Sequence, residues 1–282
     1  MGKRAGIARM FNLAARSFSR FSPLLGGALL LFTPVWHGSL QSQRSPRPKT
    51  SAAPAAPASP LAPFRPGEAL SYSGEWLKMS DVVSALITVE GQGPFMGRPS
   101  WHFKTQFHTR NPLRYIAPVD DQFDSYSAQS DLAGYQFEMY THQSGKSETR
   151  ILRLSSTQSP APTDATQVQV LPGTRDPLGF AFYLRTINWE KTREVRSPVY
   201  DGHKLYDVQA QVATPSEEVA VQAGKFVATG ISIHVFDHGA EKSDFKITIW
   251  LAKDASRTPV LLEVETALSS GRIELVQASS AR

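Results

Sequence analysis

Cysteine is absent from all 282 residues, which excludes disulfides, thiolate metal sites and lipid attachment through a thiol. Acidic residues are absent from positions 1–66, where nine of the 30 Lys and Arg lie. That leaves 21 basic against 25 acidic residues beyond position 66, a balance of −4. The formal charge of +5 therefore averages two unlike parts, and the remainder of the chain carries no basic footprint for nucleic acid. Also missing are a G-x-S-x-G elbow, a phosphate-binding P-loop and a dinucleotide fingerprint. Ser125 and Ser256 have no recognisable base and orienting group, so no catalytic residue and no cofactor are assigned.

What is present begins with scattered Arg and Lys over residues 1–22, followed by the apolar run Pro23–Trp36. A basic region before a short apolar one reads as an export signal, or as an uncleaved anchor over residues 23–36. Gly38, Ser39 and Ser42 are the small residues nearest a cleavage point, and Met10 offers an alternative start. Residues 1–40 are thus expected to be signal or anchor, and 41–63, rich in Pro, Ala and Ser, an extended linker. Residues 64–282 form the expected β-rich domain.

Within that domain apolar residues recur with period two. Trp101, Phe103, Thr105, Phe107 and Thr109 share one face, as do Tyr206, Val208, Ala210 and Val212, and Phe245, Ile247, Ile249 and Leu251. Such alternation marks antiparallel sheet with one side on a core. Ser144-Gly145, Asp201-Gly202, Ala223-Gly224, His238-Gly239, Lys253-Asp254 and Ser270-Gly271 read as turns between strands. One stretch breaks the period. Asp176–Ile187 starts with a capping carboxylate and a proline suited to the first helical position. It continues apolar nearly all round, which predicts a short buried helix. The expected fold is all-β and mainly antiparallel: a curled sheet, barrel or half-barrel with that one helix inside.

Three groups of residues are candidates for chemistry. His102 and His108 share a face, yet six residues of strand hold them ~20 Å apart, too far for one metal ion. No metal site is assigned, and the histidines read as surface residues. Asp120, Asp121 and Asp124 form an acidic cluster that reads as caps and turn hydrogen bonds, with hydrolase carboxylates as the alternative. Trp76, Phe180, Phe182, Tyr183 and Trp250 read individually as core and together as the wall of an apolar cleft. Asp176 and Arg185 are structural: Arg185, near the end of an apolar helix, needs a carboxylate, with Asp176, Asp120 and Asp121 as the candidates.

The order of several short motifs resembles the bacterial exported family catalogued as domain of unknown function 3108. The matching pieces are Pro63-Phe64 with Gly67-Glu68, Leu70, Tyr72 and Trp76; Pro118 to Tyr126; and Asp176-Pro177-Leu178 through Tyr183-Leu184-Arg185. Pro198 to Gly202, Ala223 to Phe226, and Ile249-Trp250-Leu251 with Asp254, Arg257 and Pro259-Val260 complete the match. Two features depart from it: no glycine sits as expected in Leu77–Val89, and Gly179 replaces a common serine at an expected cost to the helix of up to ~1 kcal/mol. The resemblance implies an exported envelope protein with a β-rich fold, and no activity.

The expected role is that of a non-enzymatic periplasmic or cell-envelope protein whose half-barrel holds a lipid-like or other apolar ligand, or a segment of an envelope protein partner. Membrane contact is expected only through the N-terminal segment. A ligand-free interaction module acting through a sheet edge is the alternative, with the hydrolase reading behind it.

Overall fold

The computed structural model describes residues 62–76, 78–157, 163–267 and 269–279. The expected signal or anchor and nearly all of the expected linker lie outside the described residues. Among the described residues, no helix is long and apolar enough to cross a membrane.

The strands are β1 (Ala69–Trp76), β2 (Met79–Phe95), β3 (Arg98–Thr109), β4 (Asp120–Ala128), β5 (Gly134–Gln143), β6 (Lys146–Ser155) and β7 (Thr166–Gln169). Helix α1 (Pro177–Thr186) follows, then β8 (Glu194–Tyr200), β9 (Leu205–Val221), β10 (Gly224–Asp237), β11 (Ala240–Glu241), β12 (Phe245–Ala252), β13 (Pro259–Thr266) and β14 (Ser270–Ser279). They form one curled sheet in the order β7-β6-β5-β4-β3-β2-β1-β14-β13-β12-β10-β9-β8, with β11 beside β10. Neighbours pair antiparallel except β6 and β7, which run parallel. The expected all-β, mainly antiparallel curled sheet with one short buried helix is the fold.

The period-two pattern is realised because one face of nearly every strand covers the same core. Phe103, Phe107, Ile231 and Val235 are fully buried there, and the alternate residues of those strands face outward. The sheet's two ends meet at a seam sealed by other means than a continuous ladder. The Arg175 N–H donates to Pro198 O at 3.0 Å and the Tyr200 N–H to Arg175 O at 2.9 Å, so the segment before α1 lies along β8. The Gly134 N–H donates to Thr174 O at 2.9 Å, which ties the same segment to β5. A second small core of Phe123, Phe137, Met139 and Leu152 packs against Tyr200 across this seam.

The turns fall where the sequence places them, with one exception. Ser270-Gly271 is not a turn but the start of β14. Gly271 lacks a side chain because the Trp76 ring occupies the space where its Cβ would stand.

The β9–β10 hairpin bulges around Gly230 and folds its tip away from β12. There the Ala223 N–H donates to Leu275 O at 2.9 Å and Arg272 Nη2 to Ala220 O at 3.1 Å. Trp250 lies under it. Its strand neighbours Ile249 and Leu251 point into the barrel, so Trp250 points out, against Gly230, and its Nε1–H donates to Glu263 Oε2 at 2.8 Å.

Candidate functional site

Helix α1 occupies the barrel interior and is fastened at both ends. At its N-terminus the Asp176 carboxylate accepts from the Gly179 N–H at 2.8 Å and from the Ser125 hydroxyl of β4 at 2.6 Å. Burial pushes the Asp176 carboxyl up to about 6, and those two donors hold it back from rising further. Gly179 fits closely here: a Cβ would stand 2.8 Å from Ser127 Oγ and 3.2 Å from Asp176 Oδ2, so the Ser127 hydroxyl would have to turn aside. The glycine that lowers helix propensity thus also lets the helix lie against β4 with the Ser125–Ser127 hydroxyl pair undisturbed. Next to the cap, the Arg175 guanidinium lies 3.7 Å over the Tyr183 ring and donates to Ser197 Oγ and Asp131 O.

The C-terminal fastening is ionic. Arg185, 1% exposed, pairs with Glu68 at 2.6 and 3.2 Å and donates to Ser256 O at 2.9 Å. Its partner is none of the carboxylates expected from the sequence. Asp176 is engaged at the other end of the helix, Asp120 pairs with Arg114, and Asp121 accepts from His142 N–H and Gln143. Glu68 reaches Arg185 because Phe64, just before it, is inserted edge-on against Trp101, Phe103 and Phe182 with ring centroids 5.0–5.4 Å apart. Arg257 completes the arrangement from the β12–β13 turn, with Nη1 donating to Arg185 O at 3.2 Å and Thr186 O at 3.1 Å. These contacts satisfy carbonyls that a helix end leaves open.

The stretches around Glu68, Arg185 and Arg257, far apart in sequence, thus converge on one point. A cleft of about 220 Å³ opens beside it, lined by residues that include Asn188, Trp189, Leu251, Ala252, Lys253 and Arg257. Sequence reading missed this cleft. Its signal is faint: Asn188-Trp189 directly after a helix, and two cations in a turn.

The expected aromatic wall is divided between two faces of the sheet. Phe180, Phe182 and Tyr183 are 0, 3 and 4% exposed inside the barrel, with Phe182 stacked on Phe103 at 3.8 Å. Trp76, 3% exposed, packs against Gly271 on β14. Trp250 is on the opposite face of the sheet under the β9–β10 hairpin, so it does not join them.

The acidic cluster separates as strand geometry requires. Asp121 points inward, and burial pushes its carboxyl up to about 6. Asp120 and Asp124 point outward, four residues and ~13 Å apart along β4. Asp124 faces His102 Nε2 at 2.7 Å, and the hydrogen bond from Arg114 holds the Asp120 carboxyl down at about 2. No pair of these carboxylates converges on one point, so these three residues do not form the paired-carboxylate geometry of glycoside hydrolysis. Among the described residues no group of three or more His, Asp or Glu could hold a metal ion.

A curled β-sheet wound round a buried, doubly fastened helix defines a barrel-like β domain. The chain belongs to the family described as protein of unknown function (DUF3108), whose family model matches residues 70–276. No curated protein matches it. Among solved structures, it is similar to a β-barrel-like protein of domain of unknown function DUF1849 from Brucella abortus. That match is 13% identical, covers 77% of this chain and 99% of the other, and has a TM-score of 0.49. A protein from Parabacteroides distasonis is 9% identical over 77% of this chain and 98% of its own, with a TM-score of 0.35. One from Bacteroides fragilis with a YmcC-like fold is 10% identical over 78% and 100%, with a TM-score of 0.34.

Proposed function

We infer that this chain is an exported, non-enzymatic domain of the cell envelope that binds through its surface and keeps its interior for its own helix. The basic-then-apolar order of the leader supports export. The observation that carries the binding reading is the stack of Phe182 on Phe103 at 3.8 Å, with Phe64 edge-on to both. An acyl chain would have to part these rings. The packing given up between them offsets the ~0.8 kcal/mol gained per buried methylene before the cost of association is met.

Delipidated protein titrated with oleate or lysophosphatidylcholine is expected to give no saturable change in tryptophan emission. Native mass spectrometry of protein purified from its own envelope is expected to detect the bare chain. Saturable quenching that Phe182→Asp abolishes in a folded variant, or a co-purifying lipid mass, would restore the interior-ligand reading.

A further inference from the structure

We propose that the cleft beside the C-terminal end of α1 binds a small carboxylate bearing a short apolar group. This deepens, and rests on, the reading of a domain that binds through its surface.

The cleft has a surplus of hydrogen-bond donors. Arg257 commits only Nη1 to the helix carbonyls; among the described residues its Nε and Nη2 have no acceptor. Asn188 accepts the Glu190 N–H on Oδ1 at 3.1 Å, and its amide NH₂ has no acceptor among the described residues. Lys253 Nζ is 3.8 Å from Glu190, beyond hydrogen-bond distance. Asp254 and Glu190 also line the cleft, and neither saturates these donors, Glu190 reaching Lys253 only as a 3.8 Å ion pair. Asp254 Oδ1 is occupied by Ser256 N–H, the Ser256 hydroxyl and Arg257 N–H, and the Glu190 side chain is 75% exposed.

The donors are also held in place. Arg257 has a φ of 45°, a left-handed conformation uncommon for a residue with a long side chain, and both Asp254 and the helix end keep it there. A guanidinium fixed in advance loses little freedom on meeting a ligand. Arginine and lysine together suit a carboxylate, because their charge-assisted bonds are short and strong. Beneath them Trp189, Leu251 and Ala252 give an apolar floor, each less than a tenth exposed. A volume of about 220 Å³ accommodates a group of amino-acid size and not a long acyl chain. A free amino-acid-like acid and the last residue of a peptide share this chemistry.

Isothermal titration of the full chain with N-acetyl-L-leucine, N-acetyl-L-leucinamide, the tripeptide Ala-Ala-Leu and inorganic phosphate tests the assignment. Saturable binding of the acid, at least about tenfold weaker binding of the amide, and a shift of the Trp189 indole N–H resonance on titration are expected. Ala-Ala-Leu binding more tightly than the acid assigns a peptide terminus; equal binding assigns a free acid. Arg257→Gln also uncaps the helix, so the decisive variants are Lys253→Gln and Asn188→Ala. Lys253→Gln should weaken the acid several-fold and leave the amide unchanged, and Asn188→Ala should weaken the acid several-fold. Equal affinity for acid and amide, phosphate binding as tight as the acid, or no saturable binding of either carboxylate overturns the proposal. Those results leave the surface reading standing, since that reading fails only on uptake of lipid into the interior.

Discussion

Replacing Glu68 by glutamine keeps the size of the side chain and removes its charge. In the wild type this carboxylate, 10% exposed, meets a guanidinium 1% exposed through two hydrogen bonds of 2.6 and 3.2 Å. The variant leaves the Arg185 charge buried with only carbonyl oxygens and ring faces around it. Breaking a buried pair from one side costs about 3–5 kcal/mol. For a domain of this size 1 kcal/mol moves the melting temperature by about 2–4 °C, so Glu68→Gln should lower it by roughly 6–20 °C. Arg185→Met should do the same. The double variant Glu68→Leu with Arg185→Met should recover much of the loss, because no stranded charge remains and the added side chains suit an aromatic site. Differential scanning calorimetry on the three proteins measures this. A Glu68→Gln melting temperature within 2–3 °C of wild type, against the ~6 °C minimum, would refute the reasoning.

Gly179→Ala should destabilise by about 1–3 kcal/mol in urea unfolding, because its Cβ would press on Ser127 Oγ at 2.8 Å; a more stable variant would mean that helix propensity outweighs the fit. Asp176, Asp121 and Asp201 have carboxyls raised to about 6, in each case chiefly by burial. A raised carboxyl means the folded state holds the proton more tightly, so this stabilisation is full below about 4 and is lost as pH rises through about 6. Asp201→Asn should therefore flatten the decline in urea midpoint between pH 4 and 6, and an unchanged slope would contradict the assignment. A reporter active only in the cytosol, fused after Pro63, should stay silent in cells, and strong activity would contradict export.

The sequence alone determined the strands, most turns and the helix, because each rests on short-range chemistry. Alternation over Trp101–Thr109 marks one buried face, and Asp176-Pro177 can start a helix wherever it is placed. Family membership was legible for a related reason. Motifs built on Asp176, Arg185, Glu68 and Arg257 hold the helix in the sheet, so they report the fold more than any activity. Tertiary structure alone decided what meets across distance. Arg185 finds Glu68, 117 positions away, and only the curl of the sheet brings that carboxylate within reach. Trp250 alternates with Ile249 and Leu251 in the sequence and so belongs on the outer face, but only the folded-over hairpin, with Gly230 against the ring, shows what buries it there. Gly179 reads as a weakness until Ser127 stands beside it. The cleft likewise exists only because the β12–β13 turn docks on the end of α1, a contact between segments whose pairing no local pattern encodes.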